Sequence, residues 1–308
     1  MTVAANPASI PAPNSHSHPN PAAPQVPGLA PDSPAARSAA DWRLIMLAPA
    51  ALLLQAAHPV IGSALVDYSV FRTDPFGRFD RSYWATLALA FYGEEAADYG
   101  RDIRALHKSM GGTDQQGRRY HAYDPEAYFF VLATGYWAST VVAEKFGSGL
   151  SRSEKEELYA GWRQMTLLAG LRERDAPATL DEFEPWFDQV LTERLENHPS
   201  VEHLFDTLRH PPAPAWIPGL LWKPIMWGVV GPLGVWINTG ALPPQVRELF
   251  GRSWTDRDEQ LMRWWVRLIK ATHLLLPPPI KKITRVVALR RKNAIMKSVR
   301  HRVITPAA

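Results

Sequence analysis

FYGEEAADYGRDIRALHKSMGG, residues 91–112, decides how the rest of the chain is read. The spacing predicts a helix over 93–110. At about 100° per residue, Ala96, Ile103, Leu106 and Met110 share one apolar stripe, and His107 lies on it with them. The imidazole therefore points inward. Arg104, one turn earlier, stands at the border of the stripe, so a cation and an imidazole share the edge between core and solvent. A buried imidazole needs a partner. Two readings stay open: a core histidine satisfied by a backbone carbonyl, or a ligand offered to a bound group.

Residues 1–36 form a Pro/Ala-rich tail that cannot build a core, and 37–302 read as one helical domain. Hydrophobic residues make up 46% of the chain, ample for such a core, and the twelve Trp need partners for their indole N–H groups or a wet interface. The 34 basic and 30 acidic residues nearly balance, at a net charge of +4, so no nucleic-acid partner is expected. Their distribution is uneven, because 281–302 carries Lys and Arg and no acid. Cysteine is absent, which excludes disulfides, Cys-ligated zinc, iron–sulfur clusters and thiolate-ligated haem. No HExxH motif occurs, His16 and His18 lie in the tail, and His198 and His203 face different ways on a helix, so a mononuclear zinc site has no support. The tail lacks the regions of a signal peptide. RSAADWRLIMLAPAALLLQAA, 37–57, reads as a buried first helix interrupted at Pro49, too short in its apolar run to cross a bilayer. The expected location is cytoplasmic, with peripheral membrane association left open.

Farther along, Asp74-Pro75 and Phe76-Gly77 mark a turn, and Asp80 is expected to cap a helix running to about Phe91. Arg78, Arg81 and Ser82 stand at i, i+3 and i+4 on one face of it. Cations are disfavoured at a helix N-terminus, so two arginines there call for an anion opposite, unless this is simply a solvated basic helix start. A glycine-punctuated loop covers 111–120. Asp124-Pro125-Glu126, Ser151 with Glu154, and Thr179 with Glu182 open three more helices. WIPGLLWKPIMWGVVGPLGVW, 216–236, reads as proline-broken helices that either line the core or form an apolar face against a membrane or oily partner. A helix follows over 255–275, with Trp264, Trp265 and Leu268 at helical spacing, and after Pro277–Pro279 comes a final basic helix. Strand signals are scarce, which makes the fold class all-α.

Taken in order, QAAHPVIGSALVDYS, FRTDPFGRFDRS, IRALHKSMGGTDQQGRRYHAYDPE and NTGALPPQVRELFG resemble one family across roughly residues 40–290. It groups bacterial latex-clearing proteins (rubber oxygenases) with the fungal membrane-bound, MpaB-like oxygenase of mycophenolic acid biosynthesis. The resemblance implies a globin-like multi-helix domain enclosing haem b, whose proximal iron ligand is a helix histidine with Arg three residues before it. Here the matching pair is His107 and Arg104. A family Arg-x-x-Lys-Thr motif near the haem is matched by Arg78, Arg81 and Ser82, with Arg for Lys and Ser for Thr. An arginine does not lose its proton, so it should not ligate iron as the lysine can, and an open or water-filled sixth position is expected. Relatives also carry a His in the helix after the loop; this chain reads Phe130-Val131-Leu132-Ala133-Thr134, so the metal ligand rests on His107. No Glu precedes Phe91 to match the distal glutamate base of rubber oxygenases, leaving Asp67 or His58 as candidates.

The implied function is a haem b-dependent oxygenase acting with O2 on a hydrophobic, unsaturated substrate, isoprenoid-like or lipid. In it His107 holds iron, Arg78 and Arg81 stabilise propionates or bound dioxygen, and Arg104 supports the proximal side. The alternatives are a non-catalytic helical protein that binds lipid or a membrane surface through 216–236 and the basic C-terminal end, and a haem protein that senses or stores.

Overall fold

Two capping side chains divide the first apolar run. In the computed structural model, which describes residues 26–68, 74–214 and 217–304, Ser33 accepts from Ala36 N to open α1 (Pro34–Ala40). Asp41 accepts from Arg43 N to open α2 (Trp42–Ala57), and the two helices meet at 88°. Arg43 fixes the bend by pairing with Asp41 at 2.5 Å and donating to Phe146 O at 2.6 Å. Pro49, expected to interrupt the run, stays inside α2. A mid-helix proline removes one backbone bond, and the next donor, Ala50 N, reaches the buried Asn238 Oδ1 at 2.8 Å. Packing begins ahead of the expected boundary at 37, since Leu29 is buried and Gln164 Nε2 donates to Pro27 O at 2.6 Å. Residues 1–25 of the expected tail lie outside the described residues.

His58 ends α2 in an extended conformation and Pro59 opens α3 (Pro59–Tyr68). Next, α4 (Pro75–Phe91) is capped by Asp74, which accepts from Gly77 N at 2.9 Å. Asp80, expected as that cap, is therefore interior to the helix, where Arg291 donates to both of its oxygens at 2.5 and 2.8 Å. A 3-10 turn at Gly93–Glu95 leads into α5 (Ala96–His107). The loop expected at 111–120 is a small antiparallel hairpin, β1 (Gly111–Thr113) with β2 (Arg119–His121), Gly112 opposite Tyr120.

The central helix α6 (Pro125–Phe146) starts as its Asp-Pro-Glu opening requires, Asp124 accepting from Ala127 N at 2.9 Å. It packs along α2 and buries Phe129, Phe130, Thr134 and Tyr136. The Ser151–Glu154 capping box opens α7 (Arg152–Leu168) and Thr179 opens α8 (Leu180–Gln189). At the contact of α5 with α7, a Cβ on Gly100 would lie 1.8 Å from Leu168 O, so only glycine permits the approach. Around this core lie α9 (Pro199–Arg209), α10 (Gly219–Ile225), a π turn (Met226–Val230), α11 (Gly231–Ala241) and α12 (Pro244–Leu249). They are followed by α13 (Asp256–Leu275), α14 (Pro278–Lys281) and α15 (Ile283–Ile304), which packs on α4 and α5.

The first of the two readings of 216–236 fails. Trp216 lies outside the described residues, but from 219 to 241 the helix continues through Pro224 by widening into the π turn, and most of it lines no core. Leu220 is 85% and Leu221 65% exposed; burial is confined to Gly231 and the last turns, Ile237 to Ala241.

Candidate functional site

His107 closes α5, half-buried beside Ile103 and Leu106. Its Nδ1 lies 2.8 Å from Ile103 O. A carbonyl only accepts, so Nδ1 carries a proton and donates it. The backbone partner foreseen for a core histidine is thus present, and it also sets the tautomer and ring orientation a metal ligand needs. The ring meets the edge of Tyr128 on α6 at 5.7 Å. Arg104 does not share an inner border with it. It is exposed, donates through Nη1 to Gly170 O at 2.9 Å and lies 5.3 Å over the Tyr123 ring, whose hydroxyl donates to Arg104 O. Arg104 thereby ties the end of α5 to the turn after α7 and to the segment after β2.

Arg78, Arg81 and Ser82 share α4, all half-buried. Part of the anion required opposite these cations comes from the chain itself, Arg81 Nη1 reaching Asp74 Oδ2 at 3.2 Å. Residues 75–86 include none that is fully buried, although Leu87 to Ala90 are, and 101–110 on α5 behave alike. Both helices are therefore half-open where the site residues lie. The hairpin is tied to α3 nearby: Tyr68 Oη donates to Gly111 O at 2.6 Å, and the Tyr120 hydroxyl donates to Asp67.

His58, like Asp67 a candidate base, lies at the break between α2 and α3. It is 2% exposed, and among the described residues neither ring nitrogen has a hydrogen-bond partner. Its ring lies 5.6 Å from that of Phe130, and Nε2 is 3.6 Å from Glu126 Oε1, too long for a hydrogen bond. Arg194 Nε holds the same carboxylate oxygen at 3.3 Å. Burial lowers the pKa of His58, against a smaller opposing pull from Glu126 and Asp124, so the ring is neutral at pH 7. His58 and His107 meet α6 within its first two turns, from different sides, and α3 runs from His58 to the hairpin that follows His107. The sequence signal for His58 was its place at a helix break before proline. His121, by contrast, is structural, accepting from Tyr123 N at 3.0 Å and contacting Lys108 O at 3.2 Å.

Among the described residues no group of three or more His, Asp or Glu is gathered to hold a metal ion. A porphyrin brings four nitrogen ligands of its own and asks the protein for one imidazole, and with Nδ1 of His107 bonded to Ile103 O the coordinating atom would be Nε2. The donor chemistry fits haem. A separate groove of about 700 Å³ runs between α11 and α13 past Leu233, Trp236, Leu261 and Trp264. Those helices meet α6 near Lys145, which donates to Gly240 O at 3.1 Å, whereas His107 meets it near Tyr128, on the order of 25 Å away along the axis.

Apart from the one small hairpin, the described residues form an all-α fold. The chain belongs to the family described as ER-bound oxygenase mpaB/B′/Rubber oxygenase, catalytic domain, which it matches over residues 36–271. It is similar to a protein of Mycobacterium bovis and to one of Mycobacterium tuberculosis, both named only as uncharacterised. Each is 24% identical over 239 residues, covering 75% of this chain and 90% of the relative. No solved structure matches at a significant level.

Proposed function

We propose that this oxygenase-family chain binds haem b through His107 Nε2 and oxidises or cleaves a hydrophobic, unsaturated substrate with O2. The observation that carries the reading is the Nδ1 contact of His107 with Ile103 O at 2.8 Å, which fixes the tautomer on a half-buried apolar face. Bound haem would supply the activation of dioxygen. Arg78 and Arg81, half-buried cations on one face of α4, would pair with its propionates, and Ser82 adds a hydroxyl one turn on. Arg104 acts as a positioning residue that anchors the last turn of α5 through Gly170 and Tyr123. Asp67 is engaged by Tyr120, so His58 is the better candidate to take a proton, at Nε2, where Glu126 at 3.6 Å would steady the resulting cation. Apolar walls, Phe130 among them, keep water from that ring.

The test is an absorption spectrum of the protein produced with haem supplied, beside His107→Ala. A Soret band in the parent that is lost or shifted in the variant supports the ligand, and oxygen uptake with isoprenoid lipids then supports the activity. A colourless parent under haem-replete conditions sinks the reading.

A further inference from the structure

Residues 207–247 and 260–308 contain no Asp or Glu, and these two acid-free segments carry most of the exposed apolar surface. On α10 and the π turn after it, Leu220, Leu221, Ile225 and Val229 all face solvent. The outer side of α13 is equally oily: Trp264, Leu268 and Leu275, at i, i+4 and i+11, lie opposite the buried Met262 and Ile269, where a helix facing water would carry charge. The two surfaces are continuous. Leu233 of α11 and Leu261, Trp264 and Leu268 of α13 line one groove, and Lys281 Nζ, bonded to Leu274 O at 3.3 Å, brings α14 with its exposed Ile280 alongside.

Cations stand among these side chains. Lys223 lies 4.8 Å over the Trp227 ring and Arg267 4.9 Å over Trp264, with Lys281 and Lys282 at the far end. The nearest acids on these elements, Asp256, Asp258 and Glu259, are in the first turn of α13, where Asp258 serves Thr255 and Trp236 and Glu259 serves Trp254.

We propose that this face rests on an anionic lipid bilayer, with α10 and α11 in the plane of the interface. The 23 residues of Gly219–Ala241 are long and apolar enough to cross a membrane. Their last turns are nevertheless locked into the body, because Asn238 accepts from Ala50 N, Lys145 donates to Gly240 O, and Gly231 lies so near α9 that a Cβ there would be 2.0 Å from Arg209 O. A span would break all three contacts; lying flat breaks none. Clustered Lys and Arg beside Trp and Leu, with Asp258 at the groove already bonded to Thr255 and Trp236, match lipid headgroups that are negative rather than neutral. The inference stands independently of haem binding.

The test is flotation of the full-length protein with vesicles of phosphatidylcholine alone or with about one-third phosphatidylglycerol. Binding is expected to the anionic vesicles, weakening with salt. Leu220→Asp with Leu221→Asp, and separately Trp264→Asp, should abolish it. Lys281→Glu with Lys282→Glu should weaken it by roughly tenfold or more, and Arg174→Glu, outside the face, should leave it unchanged, each variant keeping the parental circular dichroism. Absence of vesicle binding by the folded parent, or binding untouched by the first three variants, overturns the proposal. Resistance to alkaline extraction would show a span and overturn the in-plane placement. A dimer dissolved by the Leu220 and Leu221 changes, without vesicle binding, would give the face to a second copy instead.

Discussion

An imidazole held away from water with neither nitrogen bonded is destabilising, and among the described residues His58 is in that position. Because burial lowers its pKa below 6.5, the unfolded chain takes up a proton before the folded chain does as pH falls. The contribution to stability is complete above about pH 6.5 and is lost progressively down to the lowered pKa. His198 and His273, also lowered by burial, add to the same loss. Replacing His58 with Leu, similar in volume and needing no bonds, is expected to leave stability at pH 7 unchanged or raised and to flatten the decline on acidification. Denaturant titrations of parent and variant at pH 7 and about pH 5.5 measure both; a large loss at pH 7 would show that the ring holds the fold. His107 differs in what could be read in advance. Its inward direction follows from four apolar positions on one stripe, whereas its proton depends on where Ile103 O points, which no periodicity reports. Arg104 shows the converse, since a place at the edge of a stripe allows either direction and Gly170 O decided it.

Helix starts were legible wherever the cap lies beside the helix it serves, as at Asp124, Ser151, Thr179 and Thr255. Asp80 misled because aspartate serves equally as a cap and as a partner for a distant cation, and Arg291 is 211 residues away. The sequence reads Pro49 and Pro224 as breaks, yet one helix holds its proline in a half-buried turn and the other absorbs it in a π turn. A helix-positioning effect is open to direct measurement at α5. Gly100→Ala would drive a methyl into Leu168 O and push α5, with His107 at its end, off α7. The expected loss is about 3 kcal/mol or more, at the upper end for overpacking, read from chemical denaturation. Under the proposed haem ligation by His107, weaker haem retention should accompany it. Tolerance of alanine there would mean that α5 and α7 slide freely past one another.

Assembly of the whole body was legible as a class, all-helical, because apolar residues at helical spacing recur from Trp42 to Ile269. The exposure of α10 was not, since an apolar run reads the same whether a core or a bilayer covers it. Nor could spacing along the chain reveal that α13 turns Trp264 outward beside Leu233. The separation of acids from bases has a consequence for handling the protein. A sulfonate resin responds to the side turned toward it, and the face of α10, α13 and α14, where cations outnumber acids, will turn toward it, whatever the total. The counterions displaced on elution, read from the slope of retention against salt concentration, should therefore exceed the net charge of +4. A slope at or below that value would mean that the cations of 260–308 are shared evenly around the molecule.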